Sequence, residues 1–159
     1  MKAEWINPFL NAAINYLAMD TNVSPSEINR GNLGIEDNRM ATTRDVTILV
    51  AVTGDVHGVV AYSINEGTAC RMVAAILGEP TPLYSELVAS AVAEMGNVIT
   101  GLAGGSLEKM GYVTDIAPPY TVWGRGAIIS TINIPRLVVP LTTPFGEIDI
   151  SIALQEKKK

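Results

Sequence analysis

Glu94 and Asn97 are the residues of this chain whose types and spacing best suit chemistry. Residues three apart on a helix project from the same face, so a carboxylate and an amide would lie side by side here. The carboxylate can pair with a cation of a partner, and the amide can donate and accept hydrogen bonds at once and so orient a water molecule. The same spacing is typical of two exposed polar residues on the solvent side of an amphipathic helix. The pair alone leaves both interpretations open.

Small residues mark the same face of this predicted helix. Ser90, Gly101 and Gly104 share the face of Glu94 and Asn97 through steps of three and four residues. Each glycine costs roughly 1 kcal/mol relative to alanine inside a helix, so several glycines indicate a specific need. One explanation is close packing against a neighbouring backbone. The other is a docking surface, formed with Ser90, Gly101 and Gly104, that a partner must approach without meeting large side chains.

The element that positions these residues is a long helix. Thr81-Pro82 is typical of an N-cap followed by the first helical residue, and Gly111 is typical of a helix end. We therefore expect a helix from about 82 to 110. Its predicted buried stripe consists of Val88, Ala91, Val92, Met95, Ile99, Leu102, Ala103 and Met110.

Two further helices are predicted from periodicity and capping residues. Apolar residues recur at steps of three and four over residues 4–19, and a second helix begins after Asn65 and ends at Gly78. The polar segment 21–44 predicts a loop with one short strand.

The strands are predicted from β-branched runs. Residues 45–64 indicate a hairpin whose turn spans Gly54–Gly58, with His57 an exposed turn residue. At least three more strands are expected within 113–154. The strict alternation of 146–152 predicts a strand with one face in solvent.

A faint internal repeat suggests two related halves. The residues Glu4-Trp5-Ile6-Asn7 lie 90 positions before the segment that begins at Glu94, and segments 58–64 and 146–152 align at an offset of 88. We expect an α/β fold of the α+β type, with a mainly antiparallel sheet, long helices packed on one face and two pseudo-repeated halves. Residues 1–154 form a single domain in this interpretation, and 155–159 form a lysine-rich tail.

Length and charge narrow the classes of function. The chain has 159 residues, of which 48% are hydrophobic, and its net charge is −5 with three of the eleven basic residues at the C-terminus. An acidic body argues against nucleic acid and anionic membranes as partners. A single cysteine, Cys70, and a single histidine argue against disulfides and a metal site. Since no apolar run suits a signal peptide or a membrane span, we expect a cytoplasmic protein.

The segment Glu86–Gly101 resembles the signature helix of the CheC/CheX/FliY family of chemotaxis phosphatases, in which a Glu-x-x-Asn pair, usually Glu-x-Gly-Asn, lies on a long helix. Segments 52–58, 65–79 and 115–122 resemble the CheX branch in the same order. The resemblance spans roughly residues 4 to 154, and the length of the chain also fits that branch.

The resemblance implies a phosphatase that acts on the aspartyl phosphate of a CheY-like response regulator. Glu94 would pair with the active-site lysine of the regulator, and Asn97 would orient a water for in-line attack on the phosphoryl group. The Mg²⁺ ion would belong to the regulator, so no cofactor of the chain's own is expected. CheX relatives are homodimers, and we expect Ile148, Ile150 and Ile152 to leave an apolar sheet edge that needs a partner.

Two other functions fit the sequence. A non-catalytic scaffold domain on the same fold would resemble flagellar switch proteins that bind CheY without dephosphorylating it. A small-molecule-binding dimeric sensor is suggested only by the apolar composition. The presence of both Glu94 and Asn97 favours the enzyme.

Glu4 and Asn7 form a weaker candidate for a second site, because some relatives in the CheC branch carry one Glu-x-x-Asn pair in each half. Glu4 lies close to a chain terminus, where positioning suffers from fraying. Pro8 follows Asn7, and Ile6 stands where the signature helix has Gly96. The alternative is an ordinary helix start with an acidic residue in its first turn.

Overall fold

Three α-helices lie on one face of an antiparallel sheet in the computed structural model, which describes residues 1–158. The helices are α1 (Ile6–Thr21), α2 (Glu66–Leu77) and α3 (Glu86–Lys109), and short 3₁₀ turns occupy Ala3–Trp5 and Pro25–Glu27. The strands are β1 (Asn29–Arg30), β2 (Gly34–Glu36), β3 (Arg39–Ala41), β4 (Val46–Gly54), β5 (Val56–Ile64), β6 (Thr114–Ile116), β7 (Tyr120–Trp123), β8 (Ile128–Ser130), β9 (Arg136–Thr143) and β10 (Gly146–Glu156). This confirms the predicted α+β fold.

The main sheet has the order β1-β9-β10-β5-β4-β6, with β2 also paired to β9 and β7 to β4. Two hairpins, β4–β5 and β9–β10, form its centre. They meet where β5 pairs with β10, in a register that runs from Ile64 opposite Ile148 to Val56 opposite Glu156. The two hairpins thus occupy equivalent positions on either side of the central ladder, as expected for two repeated halves.

The capping residues predicted for α2 are confirmed. Asn65 has the extended backbone of an N-cap, and Gly78 ends the helix in the left-handed conformation with φ of 71°. The side chain of Asn65 makes no capping hydrogen bond. Asp45, which precedes β4, supplies it instead: its Oδ2 accepts from the backbone N–H of Glu66 at 2.9 Å.

The predicted start of α3 is wrong. The helix begins at Glu86 after the N-cap residue Ser85, whose side chain accepts a backbone hydrogen bond in the first turn. The hydroxyl of Thr81 donates instead to the backbone carbonyl of Cys70 on α2. Thr81-Pro82 therefore closes the connection between the two helices and starts neither.

The predicted buried stripe of α3 is wrong at two residues, Leu102 and Met110. Leu102 is 51% exposed and Met110 is also exposed, whereas Thr100 and Leu107 are buried in their place. The sheet contacts a face centred on Ala103, and Leu102 lies about 100° around the helix from that residue. By length and composition α3 resembles a membrane span, but its apolar stripe packs on the sheet and α1 as part of the core.

The face of the sheet away from the helices is also largely covered, which contradicts the prediction of a solvent-facing strand at 146–152. Ser151 and Ala153 of β10 are buried on that face. The strands β3 and β8 form a separate two-stranded ribbon. Met40 of the ribbon lines a small cavity with Ser151, and Ile132 lies against Gly58. Segment 21–44 accordingly contains three short strands, where one was expected.

Two local predictions in the hairpins are wrong for topological reasons. A single residue, Asp55, separates β4 from β5, so His57 lies within β5, half-buried, with Nε2 3.0 Å from Nε2 of Gln155. Ile148, Ile150 and Ile152 lie in β10, which pairs with strands on both sides, so they form no sheet edge. The tail predicted for 155–159 begins inside β10, which extends to Glu156, and residue 159 lies outside the described residues.

Candidate active site

The helix α3 approaches the sheet very closely at Gly96. A Cβ atom at this position would lie 2.9 Å from Ile48 Cγ2 and 3.2 Å from Tyr62 Cδ2, closer than side chains normally approach. Gly96 is buried and stands between Glu94 and Asn97 in the sequence. The two polar residues of the predicted site are therefore carried by a turn of α3 that packs closely against the sheet.

Buried hydrogen bonds hold the same turn on the side that faces the sheet. The hydroxyl of Thr100 donates to the backbone carbonyl of Gly96 at 2.7 Å. It lies 2.8 Å from the hydroxyl of Tyr62, which is then the donor of the second hydrogen bond. Burial raises the pKa of Tyr62, so its hydroxyl keeps its proton. Side-chain hydrogen bonds thus join the turn Gly96–Thr100 of α3 to Tyr62 on strand β5.

The structure brings the predicted site residues together on one accessible face. Glu94, Ser90 and Gly101 are exposed, and Asn97 and Gly104 are half-buried. Within residues 1–158, Glu94 takes part in no ion pair. The carboxylate is therefore free to meet a cation of a partner.

The glycines on this face have different reasons to be glycine. A Cβ at Gly104 would lie 3.1 Å from Thr114 Oγ1, so this residue permits the close approach of β6. A Cβ at Gly101 would make an ordinary 3.7 Å contact with Ile116 Cδ1, and one at Gly105 would meet nothing within 4 Å. Close packing against β6 explains why position 104 is a glycine. It does not explain the glycine at position 101, for which the approach of a partner is an alternative reason.

A groove of about 870 Å³ runs between α1 and α3 beside Glu94. The helices are antiparallel, since Tyr16 lies near Glu94 at one end while Trp5 packs edge-on against Tyr112 at the other, with ring centroids 5.6 Å apart. Partial burial, helped by the carboxylates of Asp20 and Glu94, raises the pKa of Tyr16 to about 12. A protonated phenol therefore lies beside the candidate carboxylate. The position of Tyr16 in the sequence does not predict that it lies near Glu94, because this proximity depends on how α1 crosses α3.

The second candidate pair has a different environment. Glu4 belongs to the 3₁₀ turn before α1, and Asn7 lies exposed in the first turn of α1. The hydroxyl of Tyr112 donates to Glu4 Oε1 at 3.4 Å, and Lys2 Nζ donates to the same hydroxyl at 2.8 Å. Ile6, at the position that matches Gly96, is buried. Glu4 is thus engaged by the chain's own residues, whereas Glu94 is not.

Comparison with known proteins shows the family to which the chain is similar. The family described as chemotaxis phosphatase CheX matches residues 46–142. The CheY-P phosphatase CheX of Thermotoga maritima is 34% identical over 111 residues, which cover 69% of this chain and 70% of that protein. The chemotaxis protein CheX of Vibrio vulnificus has a TM-score of 0.84 at 26% identity, covering 96% of this chain and 100% of that one. A complex of CheX, CheY, BeF₃ and Mg²⁺ from Borrelia burgdorferi contains a chain with a TM-score of 0.75 at 25% identity, covering 98% and 100%.

The family match and the similarity in sequence define the class of this protein as a phosphatase of chemotaxis signalling. The chain belongs to the CheX family of chemotaxis phosphatases. The family predicted from segment Glu86–Gly101 is confirmed, and so is the prediction of an enzyme that hydrolyses a phosphoryl bond.

Proposed function

We propose that this chain dephosphorylates a CheY-like response regulator, with Glu94 and Asn97 as the residues that act on it. The observation that carries the proposal is that Glu94, which is exposed, and Asn97, which is half-buried, share one face of α3 at the turn where Gly96 packs against the sheet. A rigid element under two outward-facing polar groups is what a water-positioning site requires. The Glu-x-Gly-Asn resemblance supports the same assignment.

Glu94 sets the register of docking in this mechanism. Its exposed carboxylate pairs with the active-site lysine of the regulator through a charge-assisted hydrogen bond. Such a charge pair contributes to orientation and encounter as well as to affinity.

Asn97 acts on the water. Its amide oxygen accepts a hydrogen bond from the water, which holds the water oxygen in line with the bond between phosphorus and the aspartyl oxygen. The water oxygen attacks phosphorus, the bond to the aspartate breaks, and the products are inorganic phosphate and a free aspartate carboxylate. An acyl phosphate is already reactive, so positioning supplies the acceleration.

The metal in this mechanism belongs to the regulator. The Borrelia burgdorferi complex contains Mg²⁺ together with CheY and BeF₃. Among residues 1–158 no group of three metal-ligating side chains was found. We propose that the regulator's Mg²⁺ neutralises the phosphoryl charge and that this chain contributes only Glu94 and Asn97.

We also propose that the chain is a cytoplasmic homodimer, as the family resemblance implies. Because β10 pairs with strands on both sides, it leaves no apolar edge that would support a dimer. Support comes instead from exposed apolar side chains near the β7 edge: Tyr120 and Trp123 on β7, and Ile128 on β8. Sedimentation of the purified chain measures the state, and a monomer at micromolar concentration would contradict it.

The test of the phosphatase is phosphate release from a phosphorylated CheY-like receiver domain. The wild-type chain should accelerate release, Asn97→Ala should abolish most of the acceleration, and Glu94→Ala should weaken it mainly through a higher KM. Asn32→Ala, at an exposed loop position between β1 and β2, is the matched control and should act like wild type. Binding without acceleration would favour the scaffold alternative.

A further inference from the structure

The groove between α1 and α3 carries exposed apolar side chains from both helices. Met19 of α1 is 82% exposed and Leu102 of α3 is 51% exposed, and both line the groove. Gly101 and Gly105 of α3 also line it, so part of its wall has no side chains. Asn11, Asn15 and Ser106 make other parts of the wall polar, so the groove suits a partner that presents both apolar and polar side chains.

The groove has an acidic end and a basic end. Asp20 and Glu94 lie at the end where α1 finishes, with Tyr16 between them. Lys109 lines the groove toward the C-terminal end of α3, near the start of α1. A partner that brings a cation to Glu94 therefore meets further negative charge from Asp20 and then apolar side chains.

The groove and Asn97 lie on opposite sides of Glu94. Val98 and Leu102, which line the groove, project from one side of Glu94 on α3, while Asn97 projects from the other. Contacts in the groove are thus separate from the position where a water would be held. They can change how firmly a partner binds without touching the chemical step.

We propose that this groove receives an amphipathic helix of the phosphorylated receiver domain, one that lies beside its phosphorylation site. The helix directs a lysine or arginine toward Asp20 and apolar side chains against Met19 and Leu102. The inference rests on the proposed function, since it takes the regulator to be docked on Glu94. The groove is continuous with that docking point and adds the negative charge of Asp20 to that of Glu94, which suits a basic residue of the partner, so it determines which regulators bind well.

The experiment measures kcat and KM for phosphate release from a phosphorylated CheY-like receiver domain. The variants are Leu102→Glu and Met19→Glu, because glutamate keeps helix propensity while placing a charge in the apolar contact. The matched control is Leu83→Glu, at an exposed leucine in the connection before α3. We expect KM to rise by about tenfold, as for a central interface residue, with kcat within about twofold of wild type and the control unchanged. Circular dichroism verifies that each variant keeps its helix content.

The outcomes separate the two proposals. If wild type releases phosphate and Asn97→Ala does not, but both groove variants keep the wild-type KM, the groove inference is overturned and the proposed function stands. If both groove variants change the sedimentation of the chain and leave KM unchanged, the groove holds a second copy and the inference is again overturned. If wild type releases no phosphate, the proposed function fails first.

Discussion

Replacing Gly96 by alanine tests whether the approach of α3 to the sheet holds the active site in place. The added methyl group would lie 2.9 Å from Ile48 Cγ2 and 3.2 Å from Tyr62 Cδ2. Ile48 Cγ2 is attached directly to Cβ, and both residues are fully buried on neighbouring central strands. Neither can move aside cheaply, so α3 must shift outward.

Two effects on stability oppose each other in this variant. Alanine in place of glycine inside a helix stabilises by about 1 kcal/mol through backbone entropy. Overpacking of a tight core costs about 1–3 kcal/mol. Because both contacts are shorter than normal approach distances, the cost should lie in the upper part of its range, and we expect a net loss of up to about 2 kcal/mol in the free energy of unfolding.

Activity should respond more strongly than stability. The outward shift moves Glu94 and Asn97 together with the turn that carries them, and a displacement of about 1 Å can cost about 100-fold in rate. We expect kcat for phosphate release to fall by at least about tenfold under conditions where the variant remains folded.

The matched control is Gly105→Ala on the same helix, where a Cβ would meet nothing within 4 Å. It should stabilise the chain by about 0.5–1 kcal/mol and leave kcat unchanged. Urea unfolding and phosphate release measure the two quantities. If Gly96→Ala is as stable as Gly105→Ala and has wild-type kcat, the close packing does not position the site.

The remaining predictions use the same assays. Asn97→Ala should remove most of the phosphatase activity and shift stability by no more than about 0.5 kcal/mol, whereas Asn7→Ala should leave activity intact; about half the activity in each variant would instead reveal two sites. Tyr62→Phe should lose about 1 kcal/mol in urea unfolding because a buried hydrogen bond to Thr100 disappears, and no loss would show that the bond contributes nothing. The pKa of Tyr16 is raised from 10.0 to about 12, so folding favours its protonated form: the contribution is complete below pH 10 and is lost as the pH rises toward 12. Tyr16→Phe should therefore flatten the fall in stability across that window, and an unchanged slope would contradict the assignment.

Local signals in the sequence predicted much of this molecule. Periodicity and capping residues located α1, α2 and most of α3, and the offset of 90 residues placed the two halves. Glu94 and Asn97 share an exposed face as their spacing requires. These features depend on neighbours along the chain, which a sequence shows directly.

The errors concern contacts between distant segments. Thr81 has the residue type of an N-cap, but its hydroxyl donates to the Cys70 carbonyl. The sequence of β10 alternates like that of a half-exposed strand, although Ser151 and Ala153 are buried on its second face. Gly96 was noted as part of a motif, but its closeness to Ile48 and Tyr62 depends on how far α3 lies from the sheet. Tyr16 likewise lies near Glu94 only because α1 crosses α3 at this point.

The pairing of β5 with β10 also determines when the sheet can form during synthesis of the chain. Its partners are 84 to 100 residues apart, from Ile64 opposite Ile148 to Val56 opposite Glu156, so this ladder cannot form until β10 has been synthesised. Non-local pairing of this kind slows folding. Until β10 arrives, the inner edge of β5 offers nine residues of unpaired backbone, Val56–Ile64, to any other strand nearby. Growing chains on neighbouring ribosomes would each present the same edge until β10 pairs with it.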